Sequence, residues 1–167
     1  PPEFAVRCTR AVFYLTRAIV KLEWGALLAL LTLWRQHNMT IANTCVLVAA
    51  VLPVLTMALA KGATAGKSRR DGGYDNNDPR GWAARQDGWK ARAAAAQNNG
   101  FEALPLFVFA VLAAQHAGLE QGRIDLLAMS FIAARLVYTA LYLANIGALR
   151  SLVWGVGVAC SIAIFAP

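Results

Sequence analysis

The sequence predicts an all-α protein, a transmembrane four-helix bundle with an extra N-terminal helical segment. Three observations carry that expectation. Of the 167 residues, 58% are hydrophobic, more than a soluble domain of this length ordinarily holds. The apolar residues gather in four long runs rather than alternating with polar ones. The formal charge of +7 sits in the links between those runs. That is the pattern of membrane loops and not of a basic face, so nucleic acid is not expected as a partner.

Residues 1–38 come first. Arg7, Arg10, Arg17 and Lys21 recur at helical spacing, and "LEWGALLALLTLW" follows. One reading is a basic amphipathic helix on the membrane surface that leads into a short extra span and docks a protein partner or anionic lipid. The other starts the native protein at Met39 and makes what precedes it an upstream extension. The expected division is therefore 1–38 and a four-span membrane domain over 39–167.

The first span is expected over 41–60, long enough for a hydrocarbon core of ~30 Å, with a kink at Pro53. The second is expected over 101–116, the third over 126–146 and the fourth over 151–165. The second and fourth are short, so their flanks must continue the helix. Asp78 before Pro79 is a helix start, from which the second helix is expected to run inward past Gly81, Gly88 and Gly100. The link 61–90 carries seven Lys and Arg, the next only Arg123, and the last Arg150. This bias places 61–90 in the cytoplasm of what is expected to be a bacterial inner-membrane protein. In the fourth span Ser151, Gly155, Ala159 and Ala163 recur every four residues, a small-residue seam for close packing.

Several motifs fail on spacing. "GATAGKS" has one residue too few between its glycines for a phosphate loop and no strand before it. "DGGYDNND" has its acids out of register for calcium. Cys8, Cys45 and Cys160 lack paired spacing, and His37 and His116 have no ligand partners at metal spacing, so no metal is expected.

Two polar faces remain. Arg92, Asn99 and Glu102 lie at i, i+7 and i+10, and Arg135, Tyr138, Tyr142 and Asn145 repeat that geometry on the third span. An arginine inside a span requires a polar partner. Glu102, the only acid within the four expected spans, is its natural counter-charge. Helix rise puts Glu102 level with Tyr142 and Arg135 about two turns deeper, so contact needs long side chains or a bridging tyrosine. Two readings stay open: a binding site for a charged ligand, or a buried network that fixes helix register.

These residues resemble a known family, the membrane-associated proteins in eicosanoid and glutathione metabolism (MAPEG). "AAQNNGFE" over 95–102, followed by Pro105, sits in the register of the family's R-A-H-x-N-x-x-E helix. "ARLVYTALY" over 134–142 matches its A-R-x-x-(H/Y)-x-x-x-Y helix at each fixed position, and Arg150-Ser151 is similar to the pair that follows. Two positions depart: the family's Arg is Ala95 and its His is Gln97, while Arg92 keeps a positive charge one turn earlier.

The resemblance implies a left-handed four-helix bundle assembled as a homotrimer. It also implies glutathione as cofactor, held between subunits near the cytoplasmic face, and transfer or peroxide reduction on a lipophilic small molecule arriving from membrane lipid. On that basis Arg92 and Lys61 would hold a carboxylate, Asn99 and Glu102 the ammonium and peptide, and Tyr138 and Tyr142 backbone groups, with Arg135 anchoring the network. Arg150, with Ser151, would stabilise the thiolate. The rival is a non-catalytic membrane subunit in which the same residues are structural.

Overall fold

The computed structural model describes residues 39–166. They form five α-helices: α1 (Ile41–Gly62), α2 (Pro79–Ala84), α3 (Gly88–His116), α4 (Gln121–Leu143) and α5 (Gly147–Phe165), with a 3-10 turn at Arg69–Asp71. The helical segment expected over 1–38 lies outside the described residues.

Three of the helices, α1, α2 and α4, begin where a side chain satisfies free backbone amides. Thr40 Oγ1 accepts from Asn43 N at 3.1 Å, and Glu120 accepts from Gly122 N at 2.9 Å and Arg123 N at 2.7 Å. Asp78 caps α2, with Pro79 in its first turn. That helix does not run on into the second span. It ends at Ala84, Asp87 is extended, and Gly88, the first residue of α3, has φ +53°, a left-handed conformation that breaks the ladder between the two helices. The α4 face also stops short of its expected extent, because α4 ends at Leu143 and Asn145 turns the chain with φ +64°.

Among the described residues, α1, α4 and α5 are long and apolar enough to cross a membrane. The fourth span qualifies because its helix begins at Gly147, four residues before the apolar run, and reaches 19 residues. The 29 residues of α3 rise ~43 Å, yet Gln97, Asn98, Asn99 and Glu102 on one side and Gln115 and His116 on the other bracket a shorter apolar stretch.

The long helices meet through small side chains. Ala42, Ala49, Ala110, Ala114 and Ala128 are all buried in one cluster with Phe107 and Phe131, whose rings stack at 3.9 Å. Leu47, Leu59, Phe109, Leu152 and Ile162 point outward and are exposed. Such an apolar outer belt suits lipid contact. On α5 the face packed within the chain is Gly157, Ser161 and Ile164. The expected seam 151/155/159/163 does not serve that role: Ser151 and Ala159 are exposed, and Gly155 and Ala163 are half-buried.

The far end of α1 is tied down by an acid just outside the span expected over 126–146. Asp125 lies one turn inside α4, so Glu102 is not the only acid in the long helices. Its Oδ1 accepts from Ala42 N and from Gln121 Nε2, both at 2.8 Å. At the near end, residues 63–87 fold back over α1 and α3. Trp82 is only 2% exposed, packs with Met57, Ala60 and Ala93, and donates its indole N–H to Gly72 O at 3.2 Å.

At the centre, α1 and α3 cross where Gly100 faces Pro53. A Cβ at Gly100 would lie 2.6 Å from Pro53 Cγ, and a proline ring has no rotamer by which to yield. Gly100→Ala is therefore expected to destabilise the protein by about 1–3 kcal/mol, seen as a lower melting temperature in mild detergent. A variant that melts with the parent would show that the two helices separate there without cost.

Candidate functional site

Seven of the nine residues singled out in the sequence converge on one region between α3, α4 and α5. From α3 come Asn99 and Glu102, three residues apart and so on one face. α4 supplies Arg135, Tyr138 and Tyr142, and α5 supplies Arg150 and Ser151.

Arg135 is 6% exposed. Its Nη1 donates to Asn99 Oδ1 at 3.1 Å, and Asn99 Nδ2 donates to Glu102 Oε2 at 3.4 Å. The bridge between Arg135 and Glu102 is thus Asn99, where the sequence left long side chains or a bridging tyrosine as the alternatives. The tyrosines do different work. The Arg135 guanidinium lies 4.3 Å from the Tyr138 ring centroid. Tyr138 meets Tyr142 edge-on at 5.6 Å, and the Arg150 guanidinium lies 4.2 Å from the Tyr142 centroid. Two cations are held at the ends of a tyrosine pair, each over the electron-rich face of a ring. Among the described residues neither has a carboxylate within ion-pair distance.

Two cavities that open from this array share Asn99 and Trp154, and Arg135 also borders a third, much smaller space between α1, α3 and α4. The polar one, of about 230 Å³, is lined by Asn99, Tyr138, Tyr142, Arg150, Ser151 and Trp154. The other, of about 170 Å³, lies between α3, α4 and α5 and is lined by Glu102 and Arg135 together with Ala103, Leu106 and Phe131. Glu102 is exposed at the rim of this second cavity. Ser151 donates to Gly147 O at 3.3 Å and leaves its oxygen lone pairs open to the first.

Lys61 and Arg92 lie elsewhere. Lys61 Nζ donates to Tyr74 OH at 3.0 Å and lines a separate cleft with Arg80, Gln97 and Asn98. Gln97, at the family's histidine position, therefore faces away from Asn99's cavity. Arg92 Nε donates to Leu143 O at 3.0 Å, closing the last carbonyl of α4. The charge one turn before Ala95 is a helix cap and does not reach the cavity that holds Asn99.

Trp154, Gly157 and Ser161 line the site and were missed in the sequence. The signal was there: with Arg150 they fall at intervals of four, three and four residues, one helical face. An indole and two small residues on an apolar helix read as packing unless the neighbouring helices are in place.

No curated protein matches this chain. A family model, that of the MAPEG family, matches residues 41–166, a stretch that takes in α1 to α5 and every residue of the two cavities. The chain belongs to the MAPEG family.

Proposed function

We propose that this membrane protein, whose three apolar helices suit a bilayer, is a glutathione-dependent transferase or peroxidase acting on a lipophilic electrophile. The site is the cavity pair around Asn99 and Trp154. The observation that carries the reading is the convergence of two uncompensated guanidinium groups, two tyrosines, an amide and a carboxylate in one place on otherwise apolar helices. Glutathione brings two carboxylates, one ammonium and a thiol. The donor set fits it: Glu102 offers an acceptor for the ammonium, Arg135 and the tyrosine hydroxyls face backbone and carboxylate groups, and Arg150 stands over the open polar cavity.

Glutathione supplies the nucleophilic sulfur, and the protein's part is to keep it ionised. A free thiol is mostly protonated at neutral pH, so a cation beside it lowers the cost of the thiolate. Tyr142 holds the Arg150 guanidinium for that role, and Ser151 adds a hydroxyl at the same wall.

The site is completed in a homotrimer. Glu102 is exposed in the single chain, and the small-residue seam over Ser151, Gly155, Ala159 and Ala163 is only half-buried at Gly155 and Ala163 and exposed at Ser151 and Ala159. Both features support a second copy as the missing wall, with the Lys61 cleft of that copy as a further source of cations. The charge bias of 61–90 supports a cytoplasmic placement of that link in a bacterial inner membrane.

One observation favours the rival reading, a non-catalytic subunit. Asn99 ties Arg135 to Glu102, and Arg92 ties α3 to the end of α4, so part of the network already serves helix register. In that reading residues 1–38 dock a protein partner or lipid.

Calorimetric titration of the detergent-solubilised protein separates the two, with saturable glutathione binding expected. Arg150→Ala is expected to lower turnover of a chromogenic aryl halide on the order of 10²-fold, with partial recovery in Arg150→Lys. Equal turnover in all three proteins would remove Arg150 from the chemistry.

Glu102→Gln keeps the shape and removes the charge. It is expected to weaken glutathione binding while native mass spectrometry still finds a trimer. Undiminished thermal stabilisation by glutathione in this variant would leave Glu102 a structural residue.

For orientation, a cysteine placed at Ser68→Cys is expected to resist a membrane-impermeant maleimide applied from the periplasmic side. Efficient labelling from that side would invert the topology.

A further inference from the structure

Arg135 is only partly served by the hydrogen bond to α3. A guanidinium carries five N–H donors, and among the described residues this one makes a single hydrogen bond, to Asn99. No buried side-chain nitrogen or oxygen among them lacks a partner, so its remaining nitrogens open onto spaces that water reaches. One is the cavity between α3, α4 and α5. The other is the small space toward α1, which Arg135 lines together with Ala49, Pro53, Thr56 and Thr139. Around this second space acceptors are in surplus. Pro53 stands inside α1 and has no N–H for Ala49 O, four residues back, and Ala49 is buried. Thr56 Oγ1 donates to Leu52 O and Thr139 Oγ1 to Arg135 O, both at 2.9 Å. Each hydroxyl has committed its hydrogen and keeps lone pairs as acceptors. The space offers about 10 Å³ to the centre of a water molecule, room for one water and for no organic group.

We propose that one ordered water occupies this space, accepting a hydrogen bond from the Arg135 guanidinium and giving its two hydrogens to acceptors among Ala49 O, Thr56 Oγ1 and Thr139 Oγ1. Three bonds is the usual complement of a buried water. The chemistry selects water over an ion. A cation would meet the guanidinium charge, and an anion would meet the lone pairs of a carbonyl and two hydroxyls, whereas water accepts on one side and donates on the other. The donor surplus of α4 and the carbonyl left over at the α1 kink then satisfy each other through a single molecule. Thr56 and Thr139 are thereby positioning residues: Asn99 holds Arg135 from α3, and the water holds it from α1, so the guanidinium is fixed in its place beside the Tyr138 ring. The water site stands on the fold alone and does not require that glutathione bind.

The first test is an experimental density map of the full-length protein in lipid nanodiscs, without glutathione, at a resolution that shows ordered waters. One isolated peak is expected within hydrogen-bond reach of an Arg135 nitrogen and of Ala49 O or a threonine oxygen. An empty space, or an Arg135 nitrogen bonded straight to a threonine oxygen, overturns the proposal whether or not any variant folds. The second test is the melting temperature of Thr56→Val, Thr139→Val and the double variant, with Thr56→Ser as the control that keeps the hydroxyl. Each valine is expected to lower the melting temperature by about 2–4 °C, the worth of a hydrogen bond, and Thr56→Ser to recover most of the loss. The double variant is expected to lose less than the sum, because either substitution already loosens the shared water. Strictly additive losses, or a Thr56→Ser as unstable as Thr56→Val, overturn the positioning role of the two threonines.

Discussion

A guanidinium buried among apolar helices is the constraint on which the rest of this structure turns. Arg135 sits at the meeting of α3, α4 and α5, and removing its charge from water would cost several kcal/mol if nothing replaced the lost hydration. The replacement comes from every neighbouring helix layer. Asn99 of α3 gives an amide oxygen, Tyr138 of α4 gives a ring face one turn away, and Glu102 polarises Asn99 from the rim. Gly157 on α5 lies against this group: a Cβ there would be in ordinary van der Waals contact with the Phe131 ring and Arg135 Cδ. The register of three helices follows from satisfying one side chain.

That constraint also explains the shape of the site. A cation placed deep in the fold must be approached by polar groups from one direction, and the helices open along that line. Tyr142 and Arg150 repeat the same cation-over-ring contact closer to the 61–90 end. The result is a graded passage, polar at one end and apolar at the other, with Trp154 at the change. Under the proposed function, a polar tripeptide and a membrane-soluble electrophile would meet at that boundary, because neither enters the other's solvent readily.

Much of this was legible in the sequence. The family resemblance rested on 95–102 and 134–142, and the match over 41–166 bears it out. Helical spacing alone put Asn99 with Glu102, and Arg135 with Tyr138 and Tyr142, on common faces. Spacing fixes a face but not its rotation against a neighbour. That is why Asn99 was not recognised as the bridge, and why the packed face of α5 proved to be Gly157 and Ser161 rather than the more regular small-residue row. Asp125 was lost to a boundary drawn at 126, since an acid at a helix start looks like loop until its partner, Ala42 N, is known. The break between α2 and α3 depended on the left-handed φ of Gly88, and nothing distinguishes that glycine in sequence from the helical Gly100. Lys61 and Arg92 carried the right charge but met local acceptors first, the Tyr74 hydroxyl and the Leu143 carbonyl.

The Arg92 cap has a mechanical side. Leu143 follows Tyr142 directly, and Tyr142 is the ring on which Arg150 rests. By gripping Leu143 O, the first turns of α3 fix the end of α4 and with it the height at which the Arg150 guanidinium stands over its cavity. Trp82 packs against the same stretch of α3 through Ala93, so the folded 63–87 segment is braced on the helix that does the gripping. The cavity is thereby linked to the solvent-facing cap through rigid elements, and a change that loosens the cap would be felt as a displaced cation tens of atoms away. Within the single chain Arg92 bears on that cavity only through the end of α4.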